Sequence, residues 1–154
     1  MSELGIEQAK KLPELISDKH FDVVFSSDLK RAVDSAKLAF EGTYKIIQDE
    51  RIRECNYGDW NEKKKDWQII NFVDKQYLNG ESYKDVENRI KEFLNFLWEN
   101  YKGKRVAIMA HQAPQLAIEV LLNNKTWQQS IEEDWRKVKA WKPGWEYLIR
   151  GKLE

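Results

Sequence analysis

Two stretches of the 154 residues place chemically capable side chains where a ligand could meet them. In one, Val106, Ala107, Ile108, Met109 and Ala110 form an unbroken apolar run that stops at His111. The run has no helical stripe and fits a strand buried on both faces of a parallel sheet. Pro114 stands where a first helical residue belongs, and Leu116, Ala117, Val120 and Leu121 follow at helical spacing. His111 is therefore predicted at the carboxyl end of a strand just ahead of a helix. Ligands bind at that edge of open α/β sheets, and a helix N-terminus there favours an anion. An imidazole so placed either meets such a ligand or is satisfied by neighbouring backbone.

The other stretch repeats the plan. Phe21-Asp22-Val23-Val24-Phe25 reads as a short buried strand, and any of Ser26, Ser27 and Asp28 could cap the helix holding Leu29, Ala32, Val33 and Ala36. With Ser27 or Asp28 as the cap, Lys30 and Arg31 fall in the first turn, where the helix dipole disfavours cations by about 0.3–1 kcal/mol each. An anion in front of them removes the conflict. The planar fork of Arg31 beside unpaired helix N–H groups suits a phosphate or carboxylate, whereas Lys30 reads as a side chain extended into water.

The elements that must position these groups follow the same alternation. Ser2 can cap a first helix with the stripe Leu4, Ala9, Leu12, Leu15 and Ile16, which Pro13 should kink or interrupt. Tyr44–Gln48 reads as a shorter strand. Ser82 and Asp85 resemble a capping box ahead of a long amphipathic helix with Val86, Ile90, Phe93, Leu94 and Leu97 on one face, ended by Gly103. Residues 61–66 are a charged run, and Trp67, Ile69, Ile70 and Phe72 suggest a short helix or lid. Thr126 and Gln129 could form another capping box. Pro143-Gly144 reads as a turn, and Trp145–Arg150 as a closing strand. Trp127, Trp135, Trp141 and Trp145 are read as packing rather than recognition. The sum predicts one domain over residues 1–154, a three-layer α/β/α sandwich with a mostly parallel sheet.

Composition limits the function classes. Lys plus Arg and Asp plus Glu both number 26, so no net field suggests nucleic acid or an acidic membrane as the partner. One cysteine, Cys55, excludes an internal disulfide and suits a reducing compartment. No apolar run approaches the roughly 20 residues that span a bilayer, and the N-terminus shows no signal-peptide core. The expectation is a soluble cytoplasmic protein with no metal and no cofactor.

At Ser26-Ser27-Asp28-Leu29-Lys30-Arg31-Ala32 the chain resembles the histidine phosphatase superfamily, also called phosphoglycerate mutase-like, with its Ser-x-Leu-x-Arg-Ala signature. Ser2-Glu3-Leu4-Gly5-Ile6-Glu7-Gln8-Ala9 is similar to that family's helix start, Arg53–Trp60 to its acidic loop, Gly80-Glu81-Ser82 to the start of its long helix, and Ala110-His111 to its second histidine. The resemblance runs in family order over nearly the whole chain. It implies a phosphoglycerate mutase-like fold in which Arg31 binds the phosphoryl group, Glu54 protonates the leaving oxygen, and His111 donates to phosphoryl oxygens while a different histidine attacks.

That attacking histidine belongs to an Arg-His-Gly motif on the family's first strand, and the motif is absent from these 154 residues. The chain is thus expected to be N-terminally truncated relative to the family, by a misassigned start at Met1 or by a real deletion. The only other histidine, His20, precedes its strand and should lie roughly 20 Å from Ser26, at the opposite edge of the sheet. Cys55 is read as structural. The resemblance therefore implies phosphomonoester hydrolysis that is weak or absent here, with binding of phosphate or a small phosphorylated metabolite retained. The alternative is a non-catalytic protein that self-associates, as a homodimer, through the sheet edge the missing strand would leave open.

Overall fold

The computed structural model describes residues 1–61, 69–138 and 144–154. Helix α1 spans Glu3–Leu15, strand β1 Val23–Ser26, helix α2 Lys30–Phe40, strand β2 Ile46–Gln48, helix α3 Tyr83–Asn100, strand β3 Val106–Met109, helix α4 Gln112–Leu122 and helix α5 Trp127–Glu132. The three strands form one parallel sheet in the order β2-β1-β3, with Phe25 opposite Ile47 on one side and Ile108 on the other.

Alternation along the strands sorts the side chains into two cores. Val24 and Ala107 face one way, and there meet Ala39 and Phe40 of α2 and Leu12 of α1. Val23 and Phe25 face the other way, onto a larger cluster built from α3 and α4. The result is the expected α/β/α sandwich, with α1 and α2 on one face and α3, α4 and α5 on the other. Phe25 anchors the larger core, its ring meeting Phe93, Phe96 and Tyr101 edge-on.

Helix α3 forms as its spacing predicts. The Ser82 hydroxyl accepts from the Asp85 amide, and the Asp85 carboxylate accepts from the Ser82 amide. Val86, Ile90, Phe93, Leu94 and Leu97 are all buried, each contributing about 1.5–3 kcal/mol of apolar burial. Gly103, at φ 75°, follows the helix end. The capping box at Thr126 and Gln129 also forms.

Several local expectations are corrected. None of Ser26, Ser27 and Asp28 is the cap of α2. The helix starts one residue later, from Leu29 in an extended conformation with no side-chain cap, because each of the three polar side chains is bonded elsewhere. Pro114 is the third residue of α4, not the first; an amide there would still have no partner within the helix, so its missing N–H costs nothing. Helix α1 runs two residues past Pro13, and of the expected stripe Leu4 and Leu15 are exposed.

Strand β3 is not buried on both faces. Only Ala107 is fully buried, because β3 is an edge strand and β1, buried at every position, is the central one. Residues 145–150 do not close the sheet. The segment alternates half-buried and exposed side chains as a strand would, yet joins no ladder among the described residues. Trp127 is core and Trp135 stacks on Trp145, in keeping with packing. Residues 69–72 form a short 3-10 turn. The expectations for residues 62–66, Trp67, Trp141 and Pro143 lie outside the described residues.

Candidate active site

Two strand–turn–helix units deliver the candidate groups to the carboxyl edge of the sheet. His111 follows β3, adopts an extended conformation as the residue before α4, and is 8% exposed. Ser27 follows β1 and is fully buried; its hydroxyl lies 2.7 Å from His111 Nε2. The guanidinium of Arg31 lies 3.3 Å from His111 Nδ1.

The chemistry of these partners fixes the imidazole proton. A guanidinium has donors and no acceptor, so Nδ1 must accept from Arg31 and the neutral ring carries its proton on Nε2. Nε2–H therefore donates to the Ser27 hydroxyl oxygen, and His111 is held in one tautomer and one orientation. Ser27 was read from the sequence only as a potential cap. A polar side chain at the end of a buried central strand was the available signal that it serves something across the sheet edge.

Glu54 reaches the same edge from a different loop. Asp49 caps a 3-10 turn over Glu50–Ile52 through the Arg51 amide, and Ile52 is fully buried beneath it. Glu54 then places Oε1 on two backbone amides, its neighbour Cys55 at 2.9 Å and Ala113 of α4 at 3.0 Å. It thus supplies the anion that the start of α4 lacks, since neither α4 nor α2 has an acidic residue in its own first turn. Its other oxygen, Oε2, makes no hydrogen bond among the described residues.

The α2 start is differently furnished. The amides of Lys30 and Arg31 have no partner among the described residues, and Arg31 has no carboxylate partner there. Lys30 is exposed and pairs with Asp34, as a solvated side chain. Asp28 and Arg53 form a two-pronged ion pair in front of the helix. The hydrogen bonds from Arg53 hold the Asp28 carboxyl below the usual carboxylate range against a small opposing effect of burial.

The loop after Glu54 is held by close backbone approach. Gly58, at φ 55°, abuts the Leu78 carbonyl, and a Cβ on Gly80 would fall 2.4 Å from the Asn56 carbonyl oxygen. Glu81 N–H donates to that same Asn56 carbonyl, and Asp59 N–H to Leu78. Glycine is required at both positions by space, and at Gly58 also by φ.

The remaining candidates fall elsewhere. His20 is exposed beside the ring of Tyr44, ahead of β1, at the amino edge of the sheet. Cys55 is buried in the core. Among the described residues, no group of three His, Cys, Asp or Glu side chains could hold a metal ion, and no helix is long and apolar enough to cross a membrane.

Arg31 thus lies against His111 at the carboxyl edge of the sheet, with no carboxylate partner among the described residues, and Glu54 lies at the start of α4, on the amide of Ala113. Comparison with known proteins gives the family and the fold. The chain is 30% identical to phosphoserine phosphatase 1 of Hydrogenobacter thermophilus over 130 residues, covering 77% of this chain and 62% of that protein. It therefore spans about three-fifths of that relative. The fold matches Bacillus stearothermophilus YhfR with a TM-score of 0.75 at 23% identity, covering 84% of this chain and 70% of that one. It also matches a mycobacterial glucosyl-3-phosphoglycerate phosphatase solved with inorganic phosphate, with a TM-score of 0.72 at 24% identity, over 86% and 73% of the two chains. The description of the histidine phosphatase superfamily, branch 1, fits residues 1–136; the chain belongs to that superfamily.

Proposed function

We propose that the 154 residues act as one histidine phosphatase-like domain that binds phosphate or a small phosphorylated metabolite at the carboxyl edge of the sheet. The observation that carries this reading is the Arg31 guanidinium, 3.3 Å from His111 and without a carboxylate among the described residues. A phosphate there takes charge-assisted bonds from Arg31 and from the open amides at the start of α2. Once Arg31 turns to the anion, Nδ1 of His111 is released, and on taking up a proton from solvent or from a monoprotonated phosphate it donates to a phosphoryl oxygen. Glu54, whose Oε2 makes no hydrogen bond among the described residues, is the group that would protonate a departing oxygen if a nucleophile attacked the phosphorus. Relatives named as phosphatases support a phosphoryl ligand of this kind.

Hydrolysis by this polypeptide is weak or absent. The covalent route needs an attacking imidazole, and of the two histidines one is His111 itself and the other, His20, is at the opposite edge. Removing the nucleophile of a covalent mechanism costs several orders of magnitude in rate. Calorimetric titration with inorganic phosphate tests the reading: saturable binding that Arg31→Met weakens is expected, and no binding to the wild type overturns it. Incubation with a phosphomonoester should leave no phosphohistidine by mass spectrometry. Turnover abolished by His111→Ala overturns the inactive reading.

A second reading is self-association through β3. Parallel pairing turns the Arg105 and Met109 carbonyls toward β1, so Val106 and Ile108 present their amides and carbonyls outward, with no partner among the described residues. From Val106 to Ala110 this edge has no charge, proline or other guard against pairing. Sizing across a concentration series separates the two readings, because a concentration-dependent dimer without phosphate binding favours this one.

A further inference from the structure

We infer that Arg89 is a positioning residue for Glu54, a role resting on the reading of Glu54 as the proton donor. Arg89 lies in the first half of α3, with its side chain 18% exposed. All five of its N–H donors are engaged. Nε and one N–H of NH2 fork onto the two carboxylate oxygens of Glu81, at 2.8 and 3.0 Å. The other N–H of NH2 donates to the Glu54 carbonyl at 3.0 Å, and NH1 donates to the carbonyls of Arg51 and Arg53 at 2.7 and 2.8 Å.

Three carbonyls of one irregular loop therefore converge on a single planar cation. Glu81 completes the clamp from the other side: Oε2 accepts the Asn56 amide at 2.8 Å, and the Glu81 amide donates to the Asn56 carbonyl. The loop is bound on both flanks of Glu54 by residues that α3 fixes, and α3 is immobilised by its capping box and buried face. The consequence appears at the carboxylate. With its backbone held, Glu54 brings Oε1 onto the amides of Cys55 and Ala113, and its Oε2 makes no hydrogen bond among the described residues. A lysine at 89 has three donors and no plane, so it cannot serve both Glu81 and three carbonyls.

Amide hydrogen exchange in the full chain separates positioning from general stability, with Ala113 as the reporter of the Glu54 bond and Val24 as the reporter of global opening. Arg89→Met should speed exchange at Ala113 by about tenfold relative to Val24, the loss expected for one hydrogen bond. Glu54→Ala sets the reference for a missing carboxylate. Arg89→Lys should recover less than half of the protection. Equal acceleration at Ala113 and Val24 overturns the proposal, as does unchanged exchange at Ala113 or full rescue by lysine. These readouts need no ligand, so a failed phosphate titration would remove the proposed function while leaving the link between Arg89 and Glu54 to stand or fall separately.

Discussion

The β1–α2 and β3–α4 units share one local plan, an apolar strand, a polar turn and a helix, but differ in what meets the helix start. At α4 the unpaired amide of Ala113 is met from inside the protein by Glu54. At α2 the amides of Lys30 and Arg31 have no partner among the described residues, and the guanidinium of Arg31 leans on His111. One helix start is complemented by an internal anion, and the other is where the external anion is proposed to bind. The strands differ in the same sense: β1 is central and wholly buried, whereas β3 is half-buried at the edge.

Five substitutions would break or sharpen this contrast. Phe25→Ala should cost about 3–5 kcal/mol in denaturant unfolding, as for a large core aromatic. Ile108→Ala, half-buried on the edge strand, should cost about 1–2 kcal/mol; equal losses would mean that β3 is as enclosed as β1. Arg31→Met should weaken inorganic phosphate binding by about 1.5–3 kcal/mol, the worth of hydrogen bonds to a charged group, with the unfolding midpoint unchanged. A large fall in stability instead would make Arg31 a structural partner of His111.

Glu54→Ala should lower stability by about 0.5–2 kcal/mol, as for loss of a helix cap, and should tighten phosphate binding by removing a like charge from the site. Unchanged stability would mean that the Ala113 amide finds water instead. The smallest effect is acid sensitivity at the α2 start. Asp28 is held low in the folded state by the hydrogen bonds and charge of Arg53, against weak desolvation. A depressed folded value gives stability that is present above the unfolded value, about pH 4, and is lost as pH falls through the lower folded one. Asp28→Asn should flatten unfolding free energy against pH below about pH 4, and because the pair is exposed the change should be slight.

Much of the layered fold was legible in the chain because burial is written into periodicity. Short apolar runs marked β1 and β3, the stripe from Val86 to Leu97 marked α3, and Ser82 with Asp85 marked its start. The edge position of β3 was not legible. An apolar run predicts a buried strand equally whether it has one neighbour or two, and only the strand order β2-β1-β3 decides. Residues 145–150 show the converse, a strand pattern with no ladder among the described residues.

The sequence by itself determined the local placements: His111 between a strand and a helix, Arg31 in the first turn of another helix, and Glu54 in a loop. Those depend on neighbours a few residues away, which spacing encodes directly. Only the tertiary structure decided the hydroxyl of Ser27 on Nε2, the guanidinium of Arg31 on Nδ1, the carboxylate of Glu54 at the start of α4, and the three loop carbonyls on Arg89. Each joins residues 35 to 84 apart in sequence, among them Ser27 with His111 and Arg89 with Glu54. A hydrogen bond at that separation depends on where whole elements pack, and no local spacing records it.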